Sequence, residues 1–356
     1  MYVDSHQHFW KLSRGDYSWM TPDMKVLYKD FFPEDLEPLI KQKNITKTVI
    51  VQAADTVAET EFTLSLASKY EFIAGVVGWV DLDSNNAKDD IDKLCENKFL
   101  KGFRPMIHDI QDDAWMLNDN LKENIKYLNT KNLTFDALVR PNHLQHLIQF
   151  VKKYDFLPIV IDHIAKPVIT KSEIDQWKKD MTELSNASNV YCKFSGILTE
   201  VGPDYTKEQL DPYIDFILNT FGSDKLMWGS DWPVLTMADN YSNWFDLAMN
   251  YCNSFSEDEK NKIFSQNFNK KPLFFATLLH DIGKGLGGDH NLKGAEIAKK
   301  VVLNLNENVH VAHETSWLIE NHLMLSEFAF KRDIEDDSVV NKVCQKIDNI
   351  HQHHIL

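Results

Sequence analysis

Short runs of β-branched and other apolar residues recur along the first 268 positions, each followed by a longer stretch with apolar residues at helical spacing. The continuous apolar runs at 48–51 and 159–161 are typical of strands buried on both faces of a parallel sheet. The predicted strands are Tyr2–Ser5, Thr48–Gln52, Phe72–Val80, Lys101–Arg104, Phe135–Val139, Pro158–Ile161, Val190–Phe194 and Leu226–Gly229. Eight strand–helix alternations over about 265 residues match a (β/α)8 TIM barrel. A doubly wound open sheet is the alternative, but no glycine-rich phosphate turn follows the first strand.

The pattern changes near residue 270. Beyond this point the chain has a glycine-dense run at 283–288 and then helical patterns only, with no further strand signal. We therefore predict an α/β chain with a domain boundary here. A (β/α)8 barrel spans 1–268, and a small all-α helical segment spans 271–356.

Composition narrows the class of protein. The chain has 356 residues, and its hydrophobic content of 43% and charged content of 26% are typical of a globular protein. A formal net charge of −15 argues against nucleic acid or an anionic membrane as a partner. The four cysteines form no CxxC pair, no apolar run reaches the length of a membrane span, and the first residues do not read as a signal peptide. We expect a cytoplasmic protein that acts on a small molecule, and its oligomeric state stays open.

Polar and ionisable residues collect where the predicted strands end. They are His6, His8, Gln52, Arg104, Arg140, Asp162, His163, Lys193, Glu200 and Asp231. Because these ends meet at one mouth of a barrel, we expect the residues to form one active site. The alternative is that each caps a helix or pairs at the surface, which we expect for His108, His143 and His146.

Six blocks in chain order resemble the amidohydrolase superfamily and, within it, the branch of L-fuconolactone and L-rhamnonolactone hydrolases. The resemblance runs from residue 1 to about residue 268. The blocks are VDSHQHFW at 3–10, VQAA at 51–54 with TVAET at 56–60, GFRP at 102–105, DHIAKP at 162–167, KFSGILTE at 193–200 and GSDWP at 229–233. HxH alone would be a weak signal, whereas six ordered blocks form a specific one.

The resemblance implies a role for each strand-end residue. His6, His8 and Glu200 are expected to hold a divalent metal. Asp231 is expected to act as the general base for water, and His163 to polarise the lactone carbonyl. The residues expected to bind the substrate are Gln52, Arg104, Arg140, Lys193 and Trp232. Imidazoles with a carboxylate suit zinc or a similar ion. Arg104 stands where binuclear relatives have a bridging ligand, so one metal or none is expected, and activity without metal stays open.

The helical segment resembles the HD domain of bacterial PII-protein uridylyl-removing enzymes. The resemblance covers about 80 residues and rests on LHDIGKG at 279–285, HET at 313–315 and WLIENHLMLS at 317–326. It implies metal ligands of the kind provided by His280, Asp281, His290, His313 and His322. The helices that carry the first His and the closing Asp of that family are missing from the match. Since an incomplete ligand set holds metal poorly, we expect an incomplete, inactive HD-like segment, either a gene fusion or a chimeric sequence.

The leading hypothesis is a hydrolase that opens a sugar (aldono) lactone to the sugar acid by attack of water, in carbohydrate catabolism. A metal-dependent decarboxylase or dehydratase of the same superfamily is one alternative. A fusion with a residual HD phosphohydrolase module is the other.

Overall fold

A computed structural model describes residues 2–169, 174–264, 271–285, 287, 290–305, 307 and 309–321. The chain divides into two compact units, 1–267 and 268–356. The division lies beside the predicted boundary between residues 268 and 271.

The first unit is built around eight parallel strands that pair in chain order from β1 to β8. They are β1 Tyr2–Gln7, β2 Ile45–Val51, β3 Ile73–Gly78, β4 Leu100–Phe103, β5 Thr134–Ala137, β6 Ile159–Ile161, β7 Val190–Phe194 and β8 Leu226–Trp228. The sheet closes where Gln7 pairs with Trp232 beyond β8, and the His8 backbone N–H donates to the Trp232 carbonyl at 2.7 Å. The predicted (β/α)8 barrel is confirmed.

One helix follows each strand, and a ninth comes after the eighth. The helices are α1 Pro33–Gln42, α2 Val57–Ala67, α3 Ala87–Cys95, α4 Lys122–Thr130, α5 Leu144–Lys153, α6 Asp175–Ser185, α7 Lys207–Phe221, α8 Tyr241–Tyr251 and α9 Glu257–Phe264. α2 begins where the Thr56 side chain accepts the Glu59 backbone N–H at 3.0 Å, which satisfies a free donor of the first turn. All three residues of β6 are buried, as expected for a strand covered on both faces.

The described part of the second unit is helical, with α10 Lys271–Leu279, α11 His290–Asn304 and α12 Val309–Asn321. Its small core is formed by Ala276, Ala295, Ala298, Leu318 and Ile319. The turn after α10 packs closely on α11, since a Cβ on Gly283 would lie 2.1 Å from the His290 carbonyl oxygen. None of the helices that the structure describes is long and apolar enough to cross a membrane.

Candidate active site

His6 and His8 lie at the end of the first strand. Side chains of a strand alternate between its faces, so two histidines separated by one residue lie on the same side. Both are buried, and their Nε2 atoms are 3.2 Å apart.

The backbone fixes the proton on His8. Its Nδ1 lies 2.8 Å from the Val51 carbonyl oxygen, which can only accept, so Nδ1 must carry the hydrogen. In a neutral imidazole the Nε2 atom is then bare. This atom lies 3.2 Å from Asp231 Oδ1, so two lone pairs face each other. Such a contact is favourable only when a proton or a cation lies between them.

Asp231 follows β8 and lies where the barrel closes. Its backbone has a φ of 57°, a left-handed value, and its N–H donates to the His6 carbonyl at 2.8 Å. Oδ1 of Asp231 lies 3.2 Å from Nε2 of His8 and 3.8 Å from Nε2 of both His6 and His163. One carboxylate therefore meets three imidazoles.

The backbone after β6 has a left-handed conformation that L-residues rarely adopt. His163, Ile164, Ala165 and Lys166 have φ values of 52°, 49°, 60° and 45°. Left-handed backbone costs roughly 1–2 kcal/mol per residue, and the β-branched Ile164 is an outlier there. The turn is held by the indole N–H of Trp177, which donates to the Ile164 carbonyl at 3.0 Å. Strain of this kind persists mainly where a site needs the resulting side-chain directions.

The block after β7 holds His163 in place. Nδ1 of His163 lies 2.9 Å from the Ser195 hydroxyl oxygen, and its ring contacts the His6 ring with centroids 4.4 Å apart. Gly196 has a φ of 66°, and a Cβ there would lie 2.5 Å from the His163 ring. Only glycine therefore fits at this position.

A buried network of charges lies beside the histidines. Lys193 Nζ contacts Asp136 at 2.5 Å and Asp162 at 2.9 Å. Arg104 Nη1 contacts the other oxygen of Asp162 at 3.2 Å. Nδ1 of His6 is 3.6 Å from Asp162. The cations and carboxylates neutralise one another, which allows them to remain in the barrel interior.

The surroundings set the protonation of the site. Burial lowers the pKa of His6 and of His163 well below the usual value, and the Lys193 charge adds to the effect on His6. Burial acts to raise the pKa of Asp231, but the nearby imidazoles of His163 and His8 outweigh it, so the pKa is lowered. At neutral pH, His6 and His163 are neutral and Asp231 is ionised.

This donor set fits a single zinc-like ion. One ligand atom from each of His6, His163 and Asp231 lies within 4.8 Å of the others, and all three residues are buried. His8 offers its bare Nε2 beside them. Neutral imidazoles and an ionised carboxylate are the ligands that zinc takes in catalytic sites.

Glu200, predicted as a metal ligand together with His6 and His8, is not part of the cluster of His6, His163 and Asp231, and its role as a ligand stays a prediction. It lies in the turn Leu198–Glu200 after β7, and its carboxylate forms an ion pair with Lys166. Asp231, from the end of β8, provides the carboxylate that meets the histidines.

Of the predicted substrate-binding residues, Arg104 lines the cleft that contains His8 and His163, and substrate binding by the other four stays a prediction. Gln52 is buried, and its amide donates to the Arg104 carbonyl at 2.8 Å. Lys193 is held in the charge network. Trp232 is buried against two phenylalanine rings, with centroids 6.1 and 5.2 Å away. Arg140 is exposed and lies outside the cleft wall.

A cleft of about 280 Å³ opens above the histidines, and we call it the catalytic cleft. Its wall contains His8, Trp10, Trp19, Met24, Ala53, Arg104, Met106, His108, Asp109, Leu138, His163, Lys166, Asp231 and Val234. We did not predict Lys166 as a site residue, although it belongs to the DHIAKP block, nor Trp19, which no motif marks. His108, for which a structural role was expected, also lies in the wall. Burial and the Arg104 charge lower the pKa of His108 to about 3.

In the second unit, the candidate ligands are spread out. His280 Nε2 lies 3.3 Å from Asp281, which also pairs with Lys284 at 2.7 Å. His313 lies exposed on α12, and His322 is outside the described residues. Among the residues that the structure describes here, no three such side chains meet at ligand distance.

The chain belongs to the amidohydrolase family, whose model matches residues 3–267. It is 39% identical over 269 residues to the L-fucono-1,5-lactonase of Burkholderia ambifaria, covering 74% of this chain and 93% of that protein. The crystal structure of an amidohydrolase from Burkholderia multivorans with bound Zn is 30% identical, with a TM-score of 0.70, covering 74% of this chain and 96% of that one.

The C-terminal helical region matches a second family model, the HD domain, over residues 246–352. Over 71 residues it is 45% identical to the bifunctional uridylyltransferase/uridylyl-removing enzyme of Azospirillum brasilense. That stretch is 20% of this chain and 8% of the Azospirillum enzyme. Both resemblances noted in the sequence are confirmed.

Proposed function

We propose that the barrel hydrolyses a sugar lactone to the corresponding sugar acid. The observation that carries the proposal is an ionised carboxylate, Asp231, facing three imidazoles at the base of a cleft. The similarity to an L-fucono-1,5-lactonase over nearly that protein's whole length supports a lactone as the substrate class.

In the proposed reaction, Asp231 takes a proton from water while the water oxygen bonds to the lactone carbonyl carbon. Arg104, at the cleft wall, stabilises the negative charge that develops on the carbonyl oxygen. The ring C–O bond then breaks. The departing ring oxygen takes the proton from Asp231, leaving a hydroxy acid. A zinc-like ion held by His6, His163 and Asp231 would add Lewis-acid polarisation of the carbonyl.

The cleft favours a single sugar ring. Its volume of about 280 Å³ is at the lower end of small-molecule pockets. Trp10 and Trp19 provide flat apolar surfaces in its wall that can pack against the C–H face of a sugar ring.

The test is a panel of five- and six-membered aldonolactones, with acid release followed by a pH indicator and metal content measured alongside. We expect turnover of at least one lactone by the purified chain, and turnover at least about 100-fold slower by Asp231→Asn. Turnover of a carboxylic acid substrate with release of CO₂, and of no lactone, would favour the decarboxylase alternative.

We further propose that the helical unit takes no part in this reaction. Truncation after Lys270 should leave lactone turnover and metal content per barrel unchanged. A large loss of turnover would contradict the proposal. Phosphodiesterase or deuridylylation activity of the full chain, lost in His280→Ala, would reveal a second active site.

A further inference from the structure

Lys166 lies in the wall of the catalytic cleft, but the proposed reaction gives it no role. It ends the left-handed turn, with a φ of 45°, three residues after His163. Both His163 and Lys166, at the two ends of this left-handed turn, line the cleft.

The partner of Lys166 comes from the neighbouring strand. Glu200 lies beyond β7, and its carboxylate contacts the Lys166 ammonium. The two side chains keep 15% and 16% of their surface exposed. Both groups are partly exposed and Lys166 lines the cleft, so a molecule bound there can reach the ion pair from the Lys166 side.

Lys166 differs in this from the other cations of the site. Arg104 is 4% exposed and is bonded to Asp162 and to the Gln52 carbonyl. Lys193 is 2% exposed and is held between two carboxylates. Among the described residues of the cleft wall, Lys166 is the one lysine, and its charge is more exposed than that of Arg104.

We propose that Lys166 and Glu200 together bind a hydroxyl group of the substrate and so favour hydroxylated lactones over lactones without hydroxyl groups. A hydroxyl both accepts and donates. The ammonium has three donors and the carboxylate has several acceptor positions, so each keeps capacity beyond their mutual contact. Hydrogen bonds to charged groups are the stronger kind, which suits discrimination. This inference rests on the proposed function.

The experiment compares an aldonolactone with δ-valerolactone, which has no hydroxyl groups. For Lys166→Met and Glu200→Gln, we expect kcat/KM for the aldonolactone, divided by kcat/KM for δ-valerolactone, to fall about 10- to 100-fold. The fall should come mainly from a higher KM for the aldonolactone. The matched control is Lys152→Met, which breaks an exposed Lys–Glu pair on α5 and α6. This control should keep the wild-type ratio.

Two results would overturn the inference. An equal loss of kcat on both lactones in Lys166→Met would place the lysine in the bond-breaking step. Loss of bound zinc in Glu200→Gln would make Glu200 a metal ligand. If the wild type hydrolyses neither lactone, the proposed function fails. In that case, calorimetric binding of the aldonolactone tests the pair separately. Binding weakened by Lys166→Met and not by Lys152→Met would support the inference, and binding unchanged by Lys166→Met would contradict it.

Discussion

Replacing Glu59 with Gln should remove a large pH dependence of stability. Glu59 lies in the first turn of α2 and is fully buried. Its Oε1 accepts the Ala53 backbone N–H at 3.2 Å, and Oε2 has no hydrogen-bond partner among the described residues. Burial raises the pKa of Glu59 from 4.5 to about 8, against a smaller opposing effect from the Arg104 charge.

The sign and the magnitude follow from proton linkage. Between pH 4.5 and about 8 the unfolded chain has lost this proton while the folded chain keeps it. The folded state therefore binds more protons, and the free energy of unfolding falls as pH rises through this window. A pKa raised by that amount corresponds to roughly 5 kcal/mol, which is fully present below pH 4.5 and lost above about pH 8.

The assay is urea unfolding at several pH values from 5 to 9, followed by tryptophan fluorescence. Eight of the nine tryptophans belong to the barrel, so the signal reports mainly on that unit. The difference between wild type and Glu59→Gln should change by several kcal/mol across the window, whereas the control Glu61→Gln, an exposed neighbour on α2, should show no such change. A difference that is constant from pH 5 to 9 would show that Glu59 ionises normally, and the argument from burial would be wrong.

Three further substitutions test the site. Asp231→Asn should lower lactone kcat by about 10²–10⁴ with an unchanged circular dichroism spectrum, because a general base is lost; near wild-type turnover would exclude that role. Gly196→Ala should lower kcat by about 100-fold, since the new Cβ displaces the His163 ring; a crystal structure with an unmoved ring would contradict this. Lys193→Met should lower the free energy of unfolding by about 3–5 kcal/mol, because Asp136 and Asp162 become unpaired. A urea midpoint equal to that of the wild type would argue against it.

The prediction of the barrel rested on local patterns of apolar and polar residues along the chain. Several strands, such as β2 and β6, are short apolar runs that are visible in the chain, and eight strand-like runs alternating with helical stretches leave few architectures. The placement of His6 and His8 on one side followed from the two-residue period of a strand. The sequence shows a glycine at position 196 but not why it is needed. The fold gives the reason, because a Cβ at Gly196 would lie 2.5 Å from the His163 ring.

The strand pattern along the chain is enough to place His6, His8, Arg104, His163 and Asp231 at or just beyond the ends of their strands, and these side chains do meet at one end of the barrel. How the charged side chains pair follows from the fold. Glu200 meets Lys166 and not the histidines, and Lys193 is held by two buried carboxylates. These pairings join residues on different strands, so they depend on barrel closure and on side-chain reach. The left-handed turn from His163 to Lys166 opposes local preference and persists because tertiary contacts hold it.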